Sequence, residues 1–354
     1  MATPRIVIAG AGVITPIGLS LAETAASARA RVARLREIEW RDRRFEPFVA
    51  GTVPDEGLPP LAPALAAQGL SRREARLLQL AHAALEEALA PLGGRGGALP
   101  LLLALPEHHT LQPIDAGRFL LRLAQQAPGA IDTGASAAAP RGRAAGLLAL
   151  RRAAEKLAEG GSPWIVVGGV DSLVDLYVLG LFDDAGRIRN GVTSDGFSPS
   201  EGAAFLLLTT AETAHARGVT PLATLLGTGQ GLEAGHLYSD EPYLGEGLAA
   251  AFAQLLAESP PPQPIGTVWC SFNGERYWAR EFGVARTRQS AAFAPTQTME
   301  HPAECFGDLG AACGPALAAL AAHSVHHGWR ADPSLVYASS DRGERGAALL
   351  GRCE

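Results

Sequence analysis

Short continuous apolar runs alternate along this chain with longer stretches whose apolar positions recur every three or four residues. The first run, Arg5-Ile-Val-Ile-Ala, meets Gly10-Ala-Gly12 and reads as a buried strand stopped by a turn. Residues 20–37, rich in Ala and Arg, read as helical. Residues 38–70 are broken by Pro and Gly, with a short strand at Phe48-Val-Ala. Ser71-Arg-Arg-Glu has the Ser-x-x-Glu form of a capping box, and an amphipathic helix follows it to about Leu92. A strand over 98–107, helices over 117–126 and 144–159, and the strands "PWIVVGGVDS" and "EGAAFLLLTT" complete the first half. The second half repeats that order: strand "ATLLGTGQG", helix "GEGLAAAFAQLLAE", strand "GTVWCSFNG", helix "RYWAREFG" and strand "SAAFAPTQT". The apolar helix "LGAACGPALAALAAHSVHHG" and the strands "SLVYASSD" and "GAALLGRC" close the chain. Strands apolar on both faces predict sheets covered by helices on both sides. Two similar halves, 1–212 and 213–354, predict a duplicated α/β unit folded as one compact body.

Composition narrows the function classes. The 354 residues are 47% hydrophobic, enough for a large core, and the net charge of −6 argues against a nucleic-acid partner. The four cysteines, Cys270, Cys305, Cys313 and Cys353, lack C-x-x-C spacing, as expected of a reduced compartment. No apolar run reaches the roughly 20 residues of a membrane helix, so a soluble, cytoplasmic protein is expected. "GAGVITPIG" lacks the third Gly of a dinucleotide fingerprint, and no cofactor is predicted. His323, His326 and His327 share a helix face in the last turn before Gly328. They read as partly protonated side chains favoured by the helix dipole rather than as metal ligands, so no metal is predicted. His108 and His109 read as solvated.

Four segments carry a resemblance. "IVIAGAGVITPIG" looks like the opening strand and Thr-Pro-x-Gly turn of the β-ketoacyl-acyl-carrier-protein synthases, and "LSRREARLLQLAHAALEEAL" like their first long helix. "VVGGVDS" matches the Gly-Gly strand after their active-site helix, and "DGFSPSEGAAFLLL" the segment leading into the last strand of their first half. The chain thus resembles the thiolase superfamily, and within it the ketosynthases. The resemblance implies a five-layered αβαβα fold of two duplicated halves, ordinarily dimeric. It also places the catalytic positions, and none keeps its residue. Counting back without gaps from Gly168-Gly169, the nucleophilic Cys falls on Arg143 and the Gly of its Cys-x-x-Gly on Gly146. The first catalytic His falls on Asn273 and the second on Gly307, or on Phe306 if the register shifts by one. The Gly-Phe-Gly-Gly gating loop becomes "SSDRGERG", with Arg342 near the Phe position. A guanidinium cannot carry an acyl group and stays charged.

Arginine at a buried helix start faces the positive end of the helix and calls for an anion. Asp308, Glu275 and Glu344 are the candidate partners, Asp308 foremost; alternatively the helix start is exposed and Arg143 merely solvated. Cys305, just before Gly307, is the candidate for a relocated nucleophile, although it reads first as a small packed residue. His301 could approach the same pocket. Cys270 and Cys313 read as core. Three functions stay open. One is a non-catalytic interaction or accessory subunit, such as an adaptor for an effector of type VI secretion. Another is a chain-length-factor-like partner of an active ketosynthase in fatty acid or polyketide biosynthesis. The third is a divergent acyltransferase of the 3-oxoacyl-carrier-protein synthase type. The partners implied are a second copy or a ketosynthase-like paralogue, a secreted effector, or an acyl carrier protein. The small, nearly uncharged "IDTGASAAA" is the segment expected to pair across the dimer axis.

Overall fold

In chain order the strands of the computed structural model, which describes residues 4–109 and 113–353, are β1 (Ile6–Ile14), β2 (Leu35–Arg41), β3 (Pro47–Gly51), β4 (Leu101–Ala104), β5 (Ala137–Ala139) and β6 (Trp164–Ser172). They continue with β7 (Glu201–Thr210), β8 (Ala223–Leu232), β9 (Ile265–Cys270), β10 (Phe293–Glu300), β11 (Ser334–Ser339) and β12 (Glu344–Gly351). The α-helices are α1 (Leu21–Arg29), α2 (Pro63–Ala66), α3 (Arg72–Leu89), α4 (Ala116–Gln126), α5 (Ala145–Ala158) and α6 (Leu176–Asp184). After these come α7 (Ala211–Ala216), α8 (Glu246–Glu258), α9 (Arg276–Arg288), α10 (Ala303–Phe306) and α11 (Cys313–His326).

Ten strands join in the order β10-β9-β11-β12-β8-β1-β7-β6-β4-β5. Read outward from the β1–β8 seam, the two sides have one plan. β1-β7-β6 and β8-β12-β11 are antiparallel, and β6-β4-β5 and β11-β9-β10 are parallel. The seam itself holds only the pairs Val7↔Thr224 and Ile8↔Ala223. Helices α1, α5 and α11 lie between the two sides, sharing one apolar core with the inner faces of both. α3 and α4 cover the outer face of the first side, and α8 and α9 that of the second. The result is the αβαβα stack. No helix among the described residues is long and apolar enough to cross a membrane.

Two local expectations fail for identifiable reasons. β1 does not stop at its glycines but runs through them, with a register shift between Ile8 and Gly10. Those glycines lie under α3, where a Cβ on Gly12 would stand 2.0 Å from the Ala84 carbonyl oxygen and one on Gly10 2.4 Å from that of Ala88. They mark close helix packing, not a turn. Residues 20–37 are not one helix. α1 starts at Ser20, whose side chain accepts from the Glu23 amide, and β2 begins at Leu35. β2 and β3 form a separate hairpin that lays Ile38 and Trp40 on a small cluster built from Phe48, Val178, Leu179 and Phe182. The capping box forms in part. Ser71 Oγ accepts from the Glu74 amide at 3.1 Å, while the Glu74 carboxylate turns to Arg122.

The parallel strands β4, β9 and β11 all end at the same edge of the stack, where α5 and α11 begin side by side. Gly146 allows that approach, since a Cβ there would meet Pro315 Cγ at 2.3 Å. In open α/β sheets the carboxyl ends of parallel strands are where side chains from several loops converge.

Candidate functional site

Each of those strands sends an ionisable side chain into the convergence. Glu107 follows β4, Glu275 follows β9, Asp341 follows β11, and Asp308 precedes α11; all four are buried. Arg143, 4% exposed, lies in the single 3-10 turn Gly142–Ala144 that leads into α5. Its Nε donates to both Asp308 oxygens at 3.0 Å, Nη2 donates again to Asp308, and Nη1 donates to Asp341. The alternative of a solvated helix start is therefore excluded. Burial alone would lower the Arg143 pKa, but Asp308 and Asp341 outweigh it and hold the guanidinium ionised well above its ordinary range. Burial likewise pushes the Asp308 carboxyl up, and Arg143, Asn273 and the Gly310 amide together hold it below the usual range.

Arg187, in the loop after α6, closes the network from the other side. It donates to Glu275 at 2.7 and 2.8 Å, to Asp341 at 2.6 and 3.1 Å, and to the Tyr238 hydroxyl at 2.8 Å. Asn273 bridges the two acids, its Nδ2 donating to Asp308 at 2.8 Å and to Glu275 at 3.0 Å. Trp278 Nε1 donates to Glu275 at 3.0 Å, and its ring lies 5.4 Å from the Arg143 guanidinium and 5.8 Å from that of Arg345. Arg345 is itself fully buried against Glu281, with its Nε 2.6 Å from Oε1. The acids also serve the helix starts. Asp308 accepts from the Gly310 amide at 2.9 Å and Asp171 from the Ala311 amide at 2.9 Å, which satisfies donors that the start of α11 leaves free. Ser340 does the same for α5, accepting from the Ala144 amide at 2.9 Å.

The structure thus brings together Arg143, Asp308, Asn273 and Glu275 of the residues read from sequence, with Glu275 joined through Arg187 rather than to Arg143 directly. Glu344 is not a partner of Arg143; it turns to Arg141 at 3.6 Å. Gly307 has φ +85° in the left-handed region, where a Cβ would stand 2.8 Å from the Ser198 carbonyl oxygen, and Phe306 is packed in the core. Arg342 is exposed, over the Tyr238 ring at 5.4 Å, and the residue that enters from its loop is Asp341. Cys305 is 2% exposed and belongs to the core, and burial raises its pKa. It lines a shallow surface recess with Arg31, His301 and Glu304, and among the described residues no hydrogen bond joins its thiol to an imidazole. His301 stands 3.6 Å from Glu304 at that recess, outside the charge network. Burial pushes Cys270 up to about 12 and raises Cys313 as well.

Two histidine expectations are corrected. His109 is not solvated, as His108 is; its side chain is 9% exposed, and its ring lies tilted against Phe182 with centroids 5.0 Å apart. Burial, with Arg143 and Arg187 nearby, lowers its pKa to about 4. His323 packs against His327 and Trp329, and burial with its histidine neighbours lowers its pKa to about 4, so it is neutral at physiological pH. Sequence reasoning missed Glu107, His109, Arg187 and Asp341. Only Asp341 had a local signal, its place beside Arg342 in the degenerate loop. Glu107 is raised to about 8 by burial and by the charge of Asp341.

Comparison with known proteins bears on the fold. Residues 133–214 match the β-ketoacyl synthase N-terminal domain family. No curated protein sequence matches the chain. Among solved structures, the ishigamide ketosynthase/chain length factor superposes with a TM-score of 0.80 at 20% identity, over 100% of both chains. A type II PKS acyl-carrier protein complex with its ketosynthase bound to the hexaketide gives 0.80 at 18%, over 99% of this chain and 100% of that one. The ketosynthase from module 6 of the bacillaene synthase of Bacillus subtilis 168 gives 0.80 at 15%, over 99% of this chain and 72% of that one. Residues 133–214 thus match the β-ketoacyl synthase N-terminal domain family by sequence, and the fold of the whole chain is the one these ketosynthase structures share.

Proposed function

We propose that this protein is a non-catalytic ketosynthase-like subunit that acts by binding a ketosynthase-like partner, as a chain length factor does. The observation that carries the reading is the buried Arg143 guanidinium, held by Asp308 and Asp341 at the helix start where the ketosynthase resemblance places the acylated thiol. Neither Asn273 nor Gly307 offers a base at the two positions where the resemblance places the histidines. The acidic pair that steadies Arg143 would also repel the anion formed when a thioester carbonyl is attacked. β5 supports the partner half of the reading. Among the described residues it pairs with β4 alone and leaves its far edge open, and its three alanines are small and at least partly exposed. Two of the similar structures are, by their names, a ketosynthase/chain length factor and a carrier-protein complex, which gives such a pair a precedent in this fold.

The test is incubation of the purified chain with a mass-tagged acyl thioester, alongside affinity capture from its own organism. The reading expects no covalent adduct and a co-purifying ketosynthase. Stable acylation at Cys305 would restore the acyltransferase alternative. Capture of a secreted toxin in place of a ketosynthase would move the function to a secretion adaptor.

A further inference from the structure

We infer that Glu107, His109 and Asp341 form a binding site for one first-row divalent cation of the Zn2+ or Mn2+ class. His109 Nε2 lies 3.7 Å from Glu107 Oε2 and 3.9 Å from Asp341 Oδ2, and the three candidate ligand atoms all fall within 4.8 Å of one another. Bonds of about 2.1 Å to imidazole nitrogen and carboxylate oxygen give a tetrahedral edge of roughly 3.4 Å. The two His109 separations are thus wider than a formed site by only a few tenths of an ångström. One imidazole with two carboxylate oxygens is a donor set for such ions rather than for Cu(I) or Ca2+.

A second observation points the same way. Glu107 is 6% exposed, and among the described residues its Oε2, the oxygen facing His109, has no hydrogen-bond partner, while Oε1 accepts from the Arg342 amide at 3.5 Å. A buried carboxylate oxygen left unpaired is costly, and a cation is the partner its position accepts. Charge supplies the third. Four buried carboxylates (Glu107, Glu275, Asp308, Asp341) meet two buried guanidiniums (Arg143, Arg187). Counted as fully ionised, these described groups leave two formal negative charges, which a divalent ion would neutralise in place of the proton that Glu107 otherwise holds. Asp341 Oδ2 already accepts from Arg187 Nη1 at 2.6 Å, and an oxygen with two lone pairs can also bind a metal. Gly142, at φ +66°, packs directly on the Glu107 side chain, where a Cβ would meet Glu107 Cγ at 2.8 Å. The ion would tie the loop after β4 to the loop after β11.

The experiment strips the full-length protein with EDTA, then titrates it with ZnCl2 and with MnCl2 by calorimetry near neutral pH. Elemental analysis after dialysis gives the stoichiometry, and zinc-edge X-ray absorption gives the ligand type. We expect one ion per chain, a first shell of nitrogen and oxygen without sulfur, and affinity lowered ten-fold or more by Glu107→Gln or His109→Gln. His323→Gln should leave binding unchanged, which separates this site from the histidines at the end of α11. Absence of stoichiometric uptake, sulfur in the first shell, binding retained in both ligand variants, or binding lost in His323→Gln would each overturn the assignment. The spectrum and stoichiometry come from the unaltered protein, so the inference stays testable if a variant fails to fold.

Discussion

Removing the Arg143 guanidinium should cost this protein far more stability than a surface arginine would. In Arg143→Met an unbranched apolar stem replaces the arginine stem without the guanidinium, and Asp308 loses three donated hydrogen bonds and Asp341 loses one. Asp341 retains Arg187, whereas Asp308 keeps only Asn273 and the Gly310 amide. An orphaned buried charge of this kind costs about 3–5 kcal/mol. With an unfolding entropy of roughly 2.1 cal/mol/K per residue, a loss of about 4 kcal/mol corresponds to a fall in Tm of roughly 5 °C for a chain of this size. Urea denaturation should show a lower midpoint with an unchanged slope. Asp308→Asn placed in the Arg143→Met background should recover much of the loss, because no lone charge is then left, so the double-mutant cycle should be strongly non-additive.

The pH dependence has a definite sign. In the wild type the Asp308 pKa is depressed, so its contribution is complete above the unfolded value of about 3.9 and fades as the pH falls through the folded value. The stability gap between wild type and variant should therefore narrow in acid. A loss below about 1 kcal/mol, or additivity within about 0.5 kcal/mol, would refute the view that Arg143 is a buried, paired ion.

Further expectations concern other parts of the stack. Under native conditions an aromatic disulfide reagent should modify Cys353 alone, because Cys270, Cys305 and Cys313 are buried free thiols with raised pKa values; rapid reaction at Cys305 would contradict its placement in the core. Lowering the pH from about 6.5 to about 4 should erode stability through His323, whose folded pKa lies below its unfolded value, so that the unfolded chain takes up the proton first. His323→Gln should flatten that part of the curve, and an unchanged slope would count against a neutral His323 packed among His326, His327 and Arg29. Gly12→Ala should destabilise the fold by at least about 1–3 kcal/mol in a denaturant titration, since its Cβ would drive into the Ala84 carbonyl; a neutral result would show that α3 can lift away.

The strand plan was legible because most strands of the large sheet are apolar on both faces, a pattern few other elements share. β2 escaped because its "LREIEWR" alternates apolar with charged positions inside an Ala- and Arg-rich stretch. α6 escaped as well. Its nine residues are short and apolar, and the Asp175 cap that starts it looks like any loop aspartate. The site was legible where a motif supplied a register, so Arg143, Asn273 and the 307–308 region could be placed by counting. Counting reached Gly307, which has no side chain, and the neighbour Asp308 supplies the carboxylate. Arg187, Glu107 and His109 sit on loops with no local motif. They enter the network through long-range contacts, 88 positions apart in the Arg187–Glu275 pair, 154 in the Arg187–Asp341 pair and 235 in the Glu107–Arg342 contact.

The ion network also bears on how this chain acquires its fold. Arg143 and Arg187 come from the first strand set's sequence, while Asp308, Asp341 and Glu275 come from the second. A ribosome releases the two cations long before their counterions emerge, so each waits in water until the later segment arrives. Docking of the two segments and desolvation of the charges must then occur together, and neither segment made alone would have reason to bury its own.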